Sequence, residues 1–362
     1  MSLRAIHQWV PSFAARDAVG GHARQIRRVV RDELGLESDV YVVDAQAAVR
    51  SISSHYRRHR PDDSGESAVL YHLSVGSEMA DALLDRPEPL LVDYHNITPA
   101  HFFDAWEPAA SYSVTLGRRQ IPSLARRTTA AIADSAYNEG ELVAAGYRDT
   151  SVVPILLDTA TFEHEVDEAL ARRLGDGGPL WLFVGRIAPN KAQHDIVLAF
   201  AAYRRHIEPT ARLALVGGPA AHAYDAALRR LLVELDLEDA VELPGSVSDA
   251  ELGAWYSAAD LLVCLSDHEG FCVPLLEAMW NRVPILAYDA TAVPETLGRG
   301  GVVLTDKSPL HVAVAADRIL RDDDLRRSLV EAGTARLADF ELERTTARLI
   351  EFLTPLVEGD GS

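Results

Sequence analysis

Asp260-Leu-Leu-Val-Cys-Leu-Ser266-Asp267-His268-Glu269-Gly270-Phe271-Cys272-Val273-Pro274-Leu275-Leu276-Glu277-Ala278-Met279 is the most informative stretch of this chain. Residues 261–265 form a short apolar run, as expected of a parallel strand buried on both faces. Pro274 suits the first position of a helix, where its missing N–H would be unpaired anyway. The stretch therefore reads strand, loop, helix, with Glu269 in the loop and Glu277 about one turn inside the helix. Backbone N–H groups of Gly270, Phe271 and Cys272 would point out of the helix N-terminus beside both carboxylates. Such a corner attracts phosphate and offers carboxylates to hydroxyl groups, and a nucleotide sugar carries both.

A second motif lies upstream: Leu182-Phe183-Val184-Gly185-Arg186-Ile187-Ala188-Pro189-Asn190-Lys191. Gly185 ends a strand, Arg186 enters a loop and Lys191 stands just before a helix. Two cations five residues apart around one turn can converge on a diphosphate. Lys191 and Lys307 are the only lysines in a chain that otherwise uses arginine for positive charge, which hints at a positional demand. Taken alone, an Arg-x4-Lys would read as two exposed charges; beside the Glu269 loop it reads as a ligand site.

Strand and helix patterns alternate along all 362 residues, the sign of doubly wound parallel sheets. Strands are expected at 3–10, 40–43, 69–73, 90–94 and 130–133, then at 180–184, 212–216, 241–243, 261–265 and 284–287. The seam falls near Val152–Asp158. This gives an N-terminal domain over 1–160, a second domain over 161–340, and a C-terminal helix in 341–362 that either stays with the second domain or packs back on the first.

Composition limits the functions available. The net charge is −19, which argues against a phosphate-neutralising surface and so against nucleic acid as a partner. The arginine clusters at Arg24, Arg27, Arg28 and Arg31, at Arg57, Arg58 and Arg60, and at Arg118, Arg119, Arg126 and Arg127 read mostly as solvated helix faces, with an anionic acceptor or a membrane surface as the other reading. Two cysteines, Cys264 and Cys272, indicate a reducing compartment and a cytoplasmic protein rather than a disulfide scaffold. No run approaches a membrane span, so any membrane association would be peripheral, at the inner face. His, Cys and acidic residues show no zinc-type spacing, so no metal or other cofactor is expected.

Weaker signals come from the first half. Gly20-Gly21 is expected as a turn between the first strand and the first helix, where backbone can approach a phosphate. It lacks the G-x-G-x-x-G spacing of a dinucleotide fingerprint. His95 and His72 both end strands, and strand C-termini line the crevice in such sheets, so either is placed to meet a ligand. Asp322-Asp323-Asp324 reads as a helix N-cap and first-turn charge run, and Pro294-Glu295-Thr296 as a helix start or a ligand contact.

Together these residues resemble the retaining GT-B glycosyltransferases of the large E-x7-E family. The resemblance rests on Glu269 with Glu277, on Gly185-Arg186 with Lys191, on Gly20-Gly21 and on Gly245-Ser246-Val247. It implies an α/β chain of GT-B architecture: two Rossmann-like doubly wound domains facing a central cleft, with a nucleotide-diphosphate sugar as donor. By position, Arg186 and Lys191 would bind the diphosphate and Glu277 the ribose hydroxyls. Glu269 would lie beside the donor sugar, Gly270, Phe271, Cys272 and Val273 would offer backbone N–H groups, and Val247 would border the base. Gly20 and Gly21 would approach the phosphate, and His95 would match the family's histidine near the sugar. The resemblance further implies retention of anomeric configuration and a carbohydrate, lipid-linked or small-molecule acceptor. The alternatives are an epimerase of the same fold and a non-catalytic sugar-nucleotide or partner-binding protein.

Overall fold

A computed structural model describes residues 3–14, 17–163 and 165–358, so the outer bounds expected at 1 and 362 lie outside it. The chain divides into two compact units. One holds residues up to 100, 109–158 and those from 340 onward; the other holds 101–108 and 159–339.

The first unit is built on a seven-stranded parallel sheet. Its strands are β1 (Ala5–Phe13), β2 (Val40–Ala45), β3 (Ser53–His55), β4 (Ser67–Leu73), β5 (Leu90–Tyr94), β6 (Thr128–Ala133) and β7 (Thr150–Val152). Their order is β3-β2-β1-β4-β5-β6-β7. Central strands β4 and β5 are buried along their whole length, which is why they read as apolar runs. One face packs Ile6, Leu70, Leu91 and Ile132 against Ile26 and Val30 from the first helical segment and against Leu349 and Leu353. The last two belong to the helix Leu342–Glu358, which is thus part of this unit's core.

The first helix departs from expectation. Gly20 and Gly21 do not form a turn; they lie inside the first turn of the helix Ala18–Arg28, whose cap is Asp17. The Asp17 carboxylate accepts from Gly20 N at 2.6 Å. The glycine is required by close approach, because a Cβ on Gly20 would lie 2.0 Å from the Ala14 carbonyl oxygen. Gly21 meets no such obstacle.

The second unit is a six-stranded parallel sheet: β8 (Leu180–Val184), β9 (Arg212–Val216), β10 (Val241–Gly245), β11 (Leu261–Cys264), β12 (Ile285–Tyr288) and β13 (Val302–Leu304). Their order is β10-β9-β8-β11-β12-β13. Trp181, Phe200, Tyr203, Leu213 and Val263 fill its core. The strand order reverses between β1 and β4 in one sheet and between β8 and β11 in the other. Outside the carboxyl ends of such a pair, loops diverge to opposite faces and leave a crevice. Both strong sequence motifs sit at the β8/β11 reversal.

Candidate functional site

The strand-loop-helix reading of residues 261–280 holds, with the helix at Val273–Trp280 and Pro274 in its first turn. Lys191 closes a short 3-10 turn, Pro189–Lys191, after β8. The two loops are laced together. Asn190 donates its side-chain N–H to the His268 carbonyl at 3.1 Å, and its own carbonyl accepts from Asp267 N at 2.9 Å and His268 N at 3.3 Å. From the other side, Thr291 accepts from Glu269 N at 2.8 Å and donates to the Glu269 carbonyl at 2.7 Å. Thr296 donates to the Phe271 carbonyl at 2.6 Å, so Pro294-Glu295-Thr296 both starts a helix and holds this loop.

Backbone strain concentrates here. Ala192, Cys272 and Thr291 all have positive φ (50°, 74° and 50°), a conformation unfavourable for residues with a Cβ. Gly217, at the end of β9, has φ 144°, and a Cβ there would lie 1.9 Å from the Gly185 carbonyl oxygen. Such positions persist only where surrounding contacts over-determine them, as these laced loops do.

The expected cation and carboxylate meet: Lys191 Nζ lies 2.5 Å from Glu269 Oε2. The side chains are 21% and 7% exposed. Burial alone would lower the Lys191 ammonium, but the Glu269 carboxylate outweighs it, so its pKa is raised and it stays charged. Glu277 is held separately, its Oε2 accepting from the Tyr256 hydroxyl at 2.7 Å. Burial pushes the Glu277 carboxyl up, opposed by that hydrogen bond. Arg186 is exposed, and no hydrogen bond or ion pair engages its guanidinium among the described residues. Val247 lies half-buried in the loop after β10, two strands from β8. Lys307 joins the same sheet edge, pairing with Asp267 at 2.5 Å and Asp195 at 2.6 Å. Both of the chain's lysines therefore stand at the carboxyl ends of this sheet.

In the first unit, His95 is not an open ligand. Its side chain is 2% exposed and belongs to a buried cluster with His22, His72, Asp93 and Asp134. The partners of each ring nitrogen assign the protons. His22 Nδ1 accepts from Leu156 N at 2.8 Å, so His22 Nε2 carries the hydrogen that meets Asp93 Oδ2 at 2.9 Å. His72 Nε2 donates to the Gln8 side-chain oxygen at 2.9 Å, which leaves its Nδ1 to accept from His95 Nε2 at 2.9 Å. His95 Nδ1 donates to Asp134 at 3.1 Å. With hydrogens on both nitrogens, His95 is an imidazolium. Burial alone would lower its pKa, but Asp93 and Asp134 outweigh burial and push it up to about 9. His72 is the opposite case, taken down to about 3 mainly by burial. His22, Asp93 and His95 place possible metal donors within 4.8 Å of one another, yet these nitrogens hold protons that a cation would have to expel.

A family model described as "Glycosyl transferases group 1" matches residues 168–336, nearly all of the second sheet and its helices. Residues 168–336 are thus a group 1 glycosyl transferase domain. Among curated relatives of the chain, the D-inositol 3-phosphate glycosyltransferase of Thermobispora bispora is 32% identical over 265 residues, 70% of this chain and 61% of that protein. The GDP-mannose-dependent alpha-(1-6)-phosphatidylinositol monomannoside mannosyltransferase of Mycobacterium tuberculosis is 30% identical over 191 residues, 50% of this chain and 48% of that protein. The chain spans about three fifths of the length of the inositol-phosphate relatives it matches. Its fold is GT-B. The Anabaena protein HepE, solved with UDP-glucose, superposes with a TM-score of 0.74 at 17% identity, covering 96% of this chain and 99% of that one. Sucrose-phosphate synthase from Thermosynechococcus elongatus gives 0.75 at 20% identity, covering 98% and 99%. Among the described residues, no helix is long and apolar enough to cross a membrane.

Proposed function

We propose that this chain is a group 1 glycosyl transferase that moves a hexose, with retention and without a metal, from a nucleotide-diphosphate sugar to a hydroxyl of a carbohydrate, lipid-linked or small-molecule acceptor. The observation that carries the reading is the Lys191–Glu269 pair at 2.5 Å, with an unengaged Arg186 on the same loop and Glu277 one turn into the adjoining helix. When the anomeric carbon leaves phosphate, negative charge grows on the diphosphate and positive charge on the sugar ring. Lys191, Arg186 and the N-terminus of the helix Val273–Trp280 would neutralise the first, and Glu269 would border the second. The departing phosphate would take the acceptor proton on the same face, giving retention. Val247 and the backbone of Gly270 to Val273 are further donor contacts in this reading, and Gly20 and Gly21, though within a helix rather than a turn, would approach the phosphate with backbone. His95 would act through its charge and backbone rather than by presenting its ring.

The relatives' names support an inositol-bearing acceptor. Incubation with UDP- and GDP-hexoses and an inositol phosphate, followed by NMR of the product, tests the reading. An axial-linked product from an axial donor is the expected outcome. An inverted linkage removes the retaining mechanism, and isomerised donor formed without acceptor would favour an epimerase.

Tyr256 is a positioning residue in this account, since it holds one Glu277 oxygen and leaves the other for ribose. Tyr256→Phe should weaken binding of UDP or GDP by about fivefold, the worth of a hydrogen bond near 1 kcal/mol. Calorimetry with the 2′-deoxynucleotide is the control, where the loss should largely vanish.

A further inference from the structure

We infer that Cys264, Cys272 and the Glu269 carboxylate form a site for one soft divalent cation, and that filling it excludes the nucleotide sugar. The exclusion rests on the donor site proposed above; the cation site itself does not. Cys264 ends β11, and Cys272 caps the next helix with φ 74° and ψ 66°. The loop between them curls back until the two Sγ atoms are 3.8 Å apart. Both are free thiols, too distant for a disulfide bond of about 2.05 Å. In a tetrahedral site with metal–sulfur bonds of about 2.3 Å, two thiolates on one ion stand about 3.8 Å apart. Glu269 supplies a third donor, and all three donor atoms lie within 4.8 Å of one another. Each of these residues is buried.

Charge balance favours occupation. The Lys191 ammonium and the Glu269 carboxylate already cancel, and each thiol has a place for its hydrogen: Cys264 Sγ donates to Ser266 Oγ at 3.5 Å, and Cys272 Sγ faces Cys264 Sγ at 3.8 Å. Binding M2+ releases two thiol protons: M2+ plus two S–H gives an M(S)2 unit and two H+. The cluster's net charge is therefore unchanged, which matters in a site shielded from water. The histidine cluster of the first unit offers no such exchange at His22, because its lone pair is already spent on Leu156 N–H. A cation on the thiolates would compete with Lys191 for Glu269, taking from the donor sugar the carboxylate and the ammonium proposed to meet it.

Cadmium is the probe. The full chain, reduced with a phosphine, is titrated with CdCl2 while thiolate-to-cadmium charge-transfer absorption and proton release are followed; UDP and GDP affinities are then measured with and without cadmium. One thiolate-bound cadmium per chain, two protons released and nucleotide binding weakened by at least about tenfold are the expected results. Cys264→Ser and Cys272→Ser should each weaken cadmium binding by about 100-fold or more. An absent band, a band that survives either substitution, or fewer than two protons per ion in the unaltered chain overturns the site. The proton count stands even where a serine variant fails to fold. Bound cadmium with unchanged nucleotide affinity overturns the exclusion and leaves the donor reading to its own tests.

Discussion

Lys191→Ala should lower turnover by 10²–10³-fold, the usual cost of about 3–4 kcal/mol for removing one preorganised charge-stabilising group. The effect should fall mainly on kcat, because leaving-group charge develops only as the glycosidic bond breaks. Lys191 stays protonated in its half-buried position, held by Glu269, so its charge is in place before the substrate arrives. At an effective dielectric near 20, such a charge about 4 Å from phosphate contributes roughly 4 kcal/mol before desolvation. Its removal also strands the Glu269 carboxylate, which is 7% exposed. The double variant Lys191→Ala/Glu269→Gln separates the two effects. If Lys191 only restrains Glu269, removing the lysine costs nothing beyond Glu269→Gln alone; if Lys191 neutralises the leaving group, it costs activity in that background too. Near-normal turnover in Lys191→Ala would remove the residue from the reaction.

Asp93→Asn should destabilise the first unit by about 3–5 kcal/mol, the range for breaking a buried ion pair by removing one partner. Asp93 Oδ2 faces His22, His72 and His95 at 2.9, 3.3 and 3.4 Å. The His22 and His95 hydrogens bring its carboxyl well below the usual carboxylate range despite full burial. An asparagine keeps the shape, but it no longer balances the His95 imidazolium, and its amide hydrogens can be set against the His22 N–H.

The pH profile gives the signature. His95 has a folded pKa of about 9 against 6.5 unfolded, so its stabilisation is fully present below pH 6.5 and lost as pH rises through 9. His72, at about 3 when folded, works the other way, and stability falls as pH drops from 6.5 toward 3. The native chain should thus be most stable near pH 6.5, with an alkaline limb of order 3 kcal/mol for a shift of about 2.5 units. Urea unfolding from pH 5 to 9.5 should show that limb flattened in Asp93→Asn. An alkaline limb equal to that of the native chain would contradict the proton assignment.

The second sheet's site was more legible in the sequence than the first's. Glu269, Glu277, Arg186 and Lys191 lie in two contiguous motifs, each a strand end with the loop that follows, so one-dimensional pattern located them. The groups that hold them did not show. Tyr256 reaches Glu277 from the preceding helix, and Asn190 and Thr291 tie loops of neighbouring strands, a relation that only strand order creates. The histidine cluster is spread over the first helix and β4, β5 and β6, although one signal was present: Asp93 is a charged residue inside the apolar run Leu90–Tyr94. Edge strands β3 and β13 passed unnoticed because three residues, Ser-Ser-His or Val-Val-Leu, set no period. The Gly20-Gly21 turn was misplaced because two glycines read as punctuation, whereas Asp17 caps a helix that already contains them. Cys264 and Cys272 looked unrelated at eight residues' separation, since nothing linear shows that the loop returns to its start.

The most direct test is calorimetric titration of UDP- and GDP-sugars, in EDTA, into the native chain and into Arg186→Ala, Lys191→Ala and Glu277→Ala. The account predicts one bound donor per native chain without added metal, with affinity falling at least tenfold in Arg186→Ala and Glu277→Ala and by less in Lys191→Ala, whose larger effect is on turnover. Failure of every nucleotide sugar to bind, or binding indifferent to all three substitutions, would contradict it.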